Sequence, residues 1–282
     1  MGYKMLTEYE HFSKKADTLE EAIRRLYDIV SVLRKKCPWD REQTHESLRG
    51  AMIEEIYEAV DAIDRGDMDN LREELGDITL HIIFHSNLAS ENGDFELKDV
   101  LNEECEKMIR RHPHVFSAEN DGKKAKTVDK VLEKWENIKS KEHSTETMSA
   151  KLEDVPRALP SLTRSFKLQK RAAKVGFDWD EKDGALEKVL EEFDELKEAI
   201  SEGSAEHIQE ELGDLLFSVV NVSRFLSVNP ELALRASADK FVKRFTKMEE
   251  MASKDHLKLE EMDVEQLELL WQNAKKDLSG QL

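Results

Sequence analysis

Two acidic stretches indicate the fold of this chain: Glu191-Glu192-Phe193-Asp194-Glu195 and, sixteen residues after it ends, Glu211-Leu212-Gly213-Asp214. On a helix, positions three and four apart share a face, so the acids within each stretch lie together. Apolar residues are interleaved with these acids, which places the acids beside a core face. Two such helices folded back on each other would gather several carboxylates that repel one another unless a cation binds. The two stretches therefore predict an antiparallel helix pair with a cation site.

The same pattern occurs earlier in the chain, at Glu54-Glu55-Ile56-Tyr57-Glu58 and Glu74-Leu75-Gly76-Asp77. Every acid of the earlier pattern precedes its counterpart by one fixed distance, so that Glu55 and Glu192, for example, are 137 positions apart. Other pairs follow at similar distances: Lys107 with Lys240 and Arg111 with Arg244 at 133, and Trp135 with Trp271 at 136. This register predicts a tandem duplication of one unit.

Helix-forming residues dominate the chain, Gly and Pro are few, and strand-like alternation is hard to find. We therefore predict an all-α protein made of two tandem helical bundles. The predicted helices cover residues 18–35, 44–64, 68–91, 97–111, 128–141, 161–175, 184–200, 205–227, 232–254 and 264–278. Residues 142–160 have few large apolar side chains and are predicted to be the linker. The predicted domains are residues 1–148 and 149–282.

The composition suits a soluble globular protein, with 37% charged residues, 39% hydrophobic residues and a net charge of -18. This charge argues against binding to nucleic acid or to an anionic membrane, although metal ions still allow an acidic protein to bind nucleotides. The longest apolar run, residues 215–222, is far shorter than the ~20 residues of a membrane span. Residues 1–17 lack a signal-peptide pattern, and Cys37 and Cys105 form no disulfide framework or metal motif. These features predict a cytoplasmic protein with reduced thiols.

The acidic, basic and aromatic residues of the repeated pattern favour a site that binds and hydrolyses a phosphate-containing substrate. Carboxylate oxygens are ligands for a hard cation such as Mg²⁺, and a carboxylate that the metal does not use can orient water for in-line attack on phosphorus. Lys and Arg bind phosphate oxygens, and an indole can stack on a base. Gly76 and Gly213 lie between the paired acids, where we expect them to let helix backbones approach closely.

Several motifs together resemble the MazG family of two-domain nucleoside triphosphate pyrophosphohydrolases. They are the paired acids, Cys37-Pro38-Trp39-Asp40, Arg111-His112-Pro113-His114-Val115-Phe116 and Val175-Gly176-Phe177-Asp178-Trp179, and the resemblance extends over about residues 18–278. It implies an all-α helical bundle and a hydrolase that cleaves (d)NTPs, ATP among them, to the monophosphate and pyrophosphate. It also implies dependence on Mg²⁺, with Mn²⁺ as a substitute cation, and a homodimer.

The resemblance also implies roles for individual residues of the second copy. The implied metal ligands and catalytic acids are Glu192, Glu195, Glu211 and Asp214, with Glu191 as a further catalytic acid. The residues implied to bind the nucleotide are Lys188, Lys240, Arg244 and Trp271.

In the family, the second domain is usually credited with the activity. In this chain the position 137 residues before Lys188 holds Ala51, so the first copy lacks that cation. We therefore expect catalysis in the second domain, and expect the first to be structural, dimerising or weakly active. The first copy nevertheless keeps a candidate second site, composed of Glu54, Glu55, Glu58, Glu74, Asp77, Lys107 and Arg111.

Two other functions are compatible with parts of the sequence. A non-catalytic acidic helical protein that binds nucleotides or a protein partner is the main alternative. A ferritin-like di-iron protein needs two Glu-x-x-His motifs on facing helices, and Glu42-Gln43-Thr44-His45, which has that spacing, lies at a helix start and has no repeat partner. His81 follows Asp77 by four residues, but its counterpart is Ser218, so it is left out of the predicted ligands. The sequence leaves open the preferred base and sugar, the phosphorus that is attacked and the number of metal ions.

Overall fold

The computed structural model describes residues 6–117, 127–128, 130–131, 134–135, 138 and 147–279. Every regular element within these residues is a helix, which confirms the all-α prediction. The chain divides into two compact units, residues 1–142 and 143–282. The domain boundary predicted from the sequence, after residue 148, lies slightly later.

The first unit contains six helices in its continuously described part, preceded by a 3-10 helix at Thr7–Ser13. The α-helices are α1 (Leu19–Lys36), α2 (Pro38–Glu42), α3 (Arg49–Arg65), α4 (Met68–Asn92), α5 (Leu97–Arg111) and α6 (Pro113–Phe116). The described residues between 128 and 138 are also helical, and the rest of the helix predicted for 128–141 lies outside the described residues.

Helices α3 and α4 form the antiparallel hairpin that the acidic stretches predict. Gly66 ends α3 in the left-handed region with φ +68°, a conformation that suits glycine because it has no Cβ. The Asp67 side chain then accepts a hydrogen bond from the Asn70 backbone N–H and caps α4. The turn is therefore specified locally, and it fixes which faces of the two helices meet.

The core of the first unit lies where α1, α4 and the turn before α3 meet. Its buried cluster consists of Val30, Leu48, Ile83, Phe84 and Leu88. Arg34 is almost fully buried beside this cluster, where it donates hydrogen bonds to the Glu91 carboxylate (3.0 and 2.6 Å) and to backbone carbonyls of Asp40 and Gln43. These bonds attach the bend after α1 to the end of α4.

The second unit repeats this plan. Its helices are α7 (Met148–Glu153), α8 (Ser161–Ala173), α9 (Lys182–Glu202), α10 (Ala205–Phe225), α11 (Pro230–Lys254) and α12 (Val264–Ser279), with a 3-10 helix at Leu259–Glu261. Helices α9 and α10 form the hairpin, turning at Gly203 (φ +76°) with Ser204 as the cap of α10. Helix α8 packs on α10 and α11, and α12 packs on α11.

Two local expectations need correction. A Cβ added at Gly76 or Gly213 would meet no atom within 4 Å, so neither glycine marks a close approach of helices. Residues 147–160 are not a free linker, because Val155 is fully buried and Arg171 donates to the Lys151 carbonyl. Residues 142–146 of the predicted linker lie outside the described residues.

Both hairpins leave a row of apolar side chains exposed at equivalent positions. The pairs, each 137 positions apart, are Ile53 with Leu190, Ile56 with Phe193, Leu75 with Leu212, and Ile82 with Val219. These side chains are between 39% and 65% exposed, so each hairpin carries apolar surface that its own unit does not cover. None of the helices in the described residues is long and apolar enough to cross a membrane.

Candidate active site

Each hairpin gathers three carboxylates at one place. In the first acidic cluster, composed of Glu55, Glu58 and Glu74, one oxygen of each residue lies within 4.8 Å of the others. The second acidic cluster, composed of Glu192, Glu195 and Glu211, meets the same criterion. The two clusters occupy equivalent positions, 137 residues apart, so the duplicated spacing in the sequence corresponds to a duplicated arrangement in space.

Other carboxylates are the main charged neighbours of the first acidic cluster in the part of the chain described. The pKa of each of its three glutamates is raised, chiefly because burial removes water from the carboxylate and then because the other acids repel its charge. Glu74 is 6% exposed, and its Oε1 accepts a hydrogen bond of 3.0 Å from the Asn70 amide. The cluster is thus crowded with negative charge, and a divalent cation would relieve that crowding.

The second acidic cluster has a lysine beside it. Lys188 Nζ lies 2.8 Å from Glu191 Oε1 and 2.8 Å from Glu192 Oε1, and both acids follow it on α9 within one turn. These bonds raise the pKa of Lys188, that with Glu191 most strongly, so the lysine stays charged. Loss of solvation and the charge of Glu192 raise the pKa of Glu195, while Lys188 opposes that increase.

A histidine that the sequence analysis did not identify also contacts the second acidic cluster. His207 Nε2 lies 3.2 Å from Glu211 Oε1, and its Nδ1 lies 2.9 Å from Glu202 Oε2. Hydrogen bonding to Glu202, followed by the charges of both acids, raises the pKa of His207. The sequence contains a signal for this contact, since His207 precedes Glu211 by four residues, as Asn70 precedes Glu74.

The two clusters therefore differ in their basic neighbours while their acids are alike. Positions 188 and 207 hold lysine and histidine in the second unit, and the equivalent positions 51 and 70 hold alanine and asparagine in the first. The second acidic cluster has a lysine on one helix of its hairpin and a histidine on the other, whereas the first has a small apolar residue and an amide. This difference distinguishes the two sites more clearly than any of the acids does.

The remaining predicted acids lie outside these groups of three. Asp77 is close enough for its charge to raise the pKa values of Glu55, Glu58 and Glu74. Asp214 is exposed on α10, three residues after Glu211. Glu191 is 58% exposed in its pair with Lys188, and Glu54 is also exposed. The structure thus groups three of the four ligands predicted for the second unit, and the three equivalent acids of the candidate second site in the first unit.

The predicted basic and aromatic residues form a second repeated feature. The Arg111 guanidinium lies over the Trp135 ring at 5.6 Å from its centroid, and Arg244 lies over Trp271 at the same distance. His112 packs edge-on against the first indole, whereas Phe241 packs on the second. Each indole stabilises the positive charge of the arginine above it, and the arginine covers one face of the indole ring.

Lysines accompany these pairs one turn earlier. Lys107 forms an ion pair with Glu104, while Lys240 is exposed on α11. Helix α11 packs against α8 and α12, not along the α9–α10 hairpin. Within the part of the chain described, the structure therefore brings the acids together and brings Arg244 to Trp271, but it does not pack the two groups into one site.

Comparison with known proteins agrees with this arrangement. The model of the MazG nucleotide pyrophosphohydrolase domain matches residues 43–116 and 181–250, so each match contains one acidic hairpin. The nucleoside triphosphate pyrophosphohydrolase/pyrophosphatase MazG of Thermotoga maritima is 44% identical over 91% of this chain and 98% of its own length. The nucleoside triphosphate pyrophosphohydrolase of Escherichia coli K12 is 40% identical over 90% of this chain and 97% of its length. The uncharacterized protein YabN of Bacillus subtilis is 45% identical over 85% of this chain and 48% of its length.

Proposed function

This chain belongs to the MazG nucleotide pyrophosphohydrolase family, and on that premise we propose that it hydrolyses nucleoside triphosphates to monophosphates and pyrophosphate. It is then a hydrolase acting on phosphoric anhydrides. The observation that carries the proposal is the convergence of three carboxylates in each hairpin, at positions that the family model matches. Such a cluster suits phosphate chemistry because it can hold a divalent cation against phosphate oxygens.

The donor atoms fit a hard cation. Each acidic cluster offers carboxylate oxygens within 4.8 Å of one another, and oxygen-only sites favour Mg²⁺, with Mn²⁺ as a substitute. In the second unit, Glu192, Glu195 and Glu211 would hold the ion, with Asp214 as a fourth ligand from the next turn of α10. When bound, the cation would neutralise the clustered acids and polarise phosphate oxygens.

Glu191 is the proposed acceptor of the proton from the attacking water. It stands beside Glu192 in sequence but outside the group of three, and although its Oε1 pairs with Lys188, its side chain is 58% exposed and so accessible to water. Water attacks phosphorus, its proton passes to Glu191, and the bridging P–O bond breaks so that monophosphate and pyrophosphate separate. Attack on either the α or the β phosphorus gives these same products.

Cationic side chains bind the triphosphate in this proposal. Lys188 lies at the second acidic cluster, where its charged form is stabilised, and the family resemblance assigns Lys240 and Arg244 to the same phosphates, although their helix α11 does not pack along this hairpin. Trp271, with Arg244 over its ring, presents an indole for the base. We assign most of the turnover to the second domain, because only that cluster has Lys188 and His207 as neighbours.

We propose that the first domain is weakly active or forms the dimer. The first domain keeps the three acids that could bind a metal ion and also the Arg111–Trp135 pair. We therefore expect it to bind a cation without rapid turnover. The exposed apolar rows on the hairpins support a homodimer, since burying Leu190 and Phe193 against a second copy would remove apolar surface from water.

Product identification tests the proposed reaction. The purified chain is incubated with single nucleoside triphosphates and Mg²⁺, and the products are separated by ion-exchange chromatography. Monophosphate and pyrophosphate in equal amounts are expected. Diphosphate with free phosphate would contradict the proposal, and the absence of any turnover would favour the non-catalytic binding alternative.

A further inference from the structure

Trp179 lies in the loop before α9, and its ring rests on the first turn of that helix. A Cβ added at Gly184 would lie 2.9 Å from Cε3 and 3.2 Å from Cδ2 of this ring, so the close approach requires glycine. Glycine is unfavourable within a helix relative to alanine, so the contact with the ring, and not helix stability, explains this residue. Trp179 is nevertheless 46% exposed, which leaves much of the indole accessible to a ligand.

The loop that carries Trp179 is fastened to α10. The Asp178 carboxylate accepts hydrogen bonds from both terminal nitrogens of Arg224, that from Nη1 being 2.9 Å long. It also accepts one of 2.9 Å from the Trp179 backbone N–H. Only 24% of the Asp178 side chain and 14% of the Arg224 side chain are exposed, and such a bidentate pair fixes geometry as well as charge. The indole is therefore held in place before a ligand binds.

The Trp179 ring and the residues of the proposed active site follow one side of α9. Counted from Gly184, where the ring rests, Lys188 is one turn further along the helix and Glu191 and Glu192 are two turns further. Residues at these spacings share a helix face. The helical rise places Gly184 about 12 Å from Glu192 along the axis, which is the scale of a nucleotide from its base to its phosphates. The ring, the lysine and the acids thus follow the order in which a nucleoside triphosphate presents its base and its phosphates.

We propose that the Trp179 indole is a subsite for the base of the nucleotide, while Lys188 and the second acidic cluster bind its phosphates. This inference rests on the proposed function, because it assigns the other end of the same substrate. Every base has a flat π face, and stacking that face on an indole contributes affinity. Because a base has two faces, stacking on Trp179 is compatible with the indole contact proposed for Trp271.

The first unit differs from the second at this subsite. Trp39 corresponds to Trp179 in the repeated Trp-Asp pair, 140 positions earlier, but it belongs to the short helix α2 and is 65% exposed. The position 137 residues before Gly184 holds Ser47, whose side chain occupies the place that glycine leaves open in the second unit. The subsite therefore belongs to the second unit, which is also the unit to which we assign turnover.

Calorimetric titration with two ligands in Mg²⁺ tests the subsite. One ligand is the α,β-methylene analogue of ATP, which cannot be cleaved between its α and β phosphorus atoms, and the other is inorganic tripolyphosphate, which has no base. Trp179→Leu should weaken binding of the analogue about fivefold or more and leave binding of tripolyphosphate unchanged. Trp179→Phe, which keeps an aromatic ring, should restore most of the affinity. Trp39→Leu, the matched control in the first unit, should change neither affinity. An unchanged affinity for the analogue in Trp179→Leu, or equal weakening of both ligands, would overturn the proposal.

Gly184→Ala tests the position of the ring while keeping the tryptophan. Alanine is favoured over glycine within a helix, so α9 itself is not weakened, but the added methyl group displaces the indole. The affinity for the analogue should fall relative to that for tripolyphosphate. An unchanged ratio of the two affinities would contradict the subsite.

The calorimetric measurement also separates this inference from the proposed reaction, because it records binding and not hydrolysis. A chain that binds the analogue through Trp179 and yet releases no pyrophosphate from ATP would retain the subsite and contradict the reaction. A chain that hydrolyses ATP with the same KM before and after Trp179→Leu would retain the reaction and contradict the subsite.

Discussion

Lys188 and Glu192 form an ion pair across one turn of α9, with Nζ 2.8 Å from Oε1, where the first unit has Ala51 and Glu55. Glu192 is 6% exposed, so this lysine is the charged neighbour of a buried carboxylate. A buried carboxylate without a cation favours its protonated form, which neither binds metal well nor attracts one. The pair therefore places a positive charge against a buried acid of the second acidic cluster, and this charge also opposes the rise in the pKa of Glu195.

Lys188→Ala should raise KM for a nucleoside triphosphate by about tenfold or more, because a hydrogen bond to a charged group contributes ~1.5–3 kcal/mol. Steady-state kinetics at saturating Mg²⁺ measure this change. Lys197→Ala is the matched control, since Lys197 forms a similar pair with Asp194 (2.9 Å) on the same helix, outside the cluster. An equal change of KM in both variants would show that general charge, not the position of Lys188, is responsible.

His207→Asn should change how stability depends on pH, because it places the first unit's residue beside Glu211. The folded-state pKa of His207 is raised, so its contribution to the free energy of unfolding is fully present below the unfolded pKa of about 6.5. That contribution disappears as the pH rises through the folded-state pKa. Chemical denaturation at a series of pH values should thus show the largest difference between the two proteins at low pH. A difference that is independent of pH would contradict the assigned ion pairs.

Ile83→Ala should lower the free energy of unfolding of the first unit by about 2–5 kcal/mol, because Ile83 is 2% exposed in the core where α1 meets α4. The neighbouring Ile82→Ala should cost about 1 kcal/mol or less, since Ile82 is 39% exposed. Urea denaturation of both variants compares the two sites. Equal losses of unfolding free energy in the two variants would contradict the burial of Ile83 in this core.

Periodicity and capping residues predicted the long helices, because these signals are local, but the short helices α2, α6 and α7 lie where the sequence predicted helix breaks or a linker. Helix α5 begins and ends at the predicted residues, Leu97 and Arg111, and the Thr18 cap of α1 forms a capping box with Glu21. The convergence of Glu192, Glu195 and Glu211 was also predictable, since helical spacing and a short turn determine it.

Contacts that depend on how side chains reach across helices were not predictable in the same way. The contact between His45 and His85 joins residues 40 positions apart, and no local pattern specifies it. The expected close approach of helices at Gly213 was wrong for a related reason. A glycine in the sequence does not show which atoms lie opposite it in the fold.

The central claim is that the second acidic cluster carries most of the turnover, and a matched pair of substitutions tests it most directly. Glu192→Gln and Glu55→Gln alter equivalent glutamates, 137 positions apart, and each removes one carboxylate charge while keeping the size of the side chain. We expect Glu192→Gln to lower kcat for nucleoside triphosphate hydrolysis on the order of 100-fold or more, and Glu55→Gln to leave most of it. Equal losses in the two variants, or a larger loss from Glu55→Gln, would contradict the assignment of catalysis to the second domain.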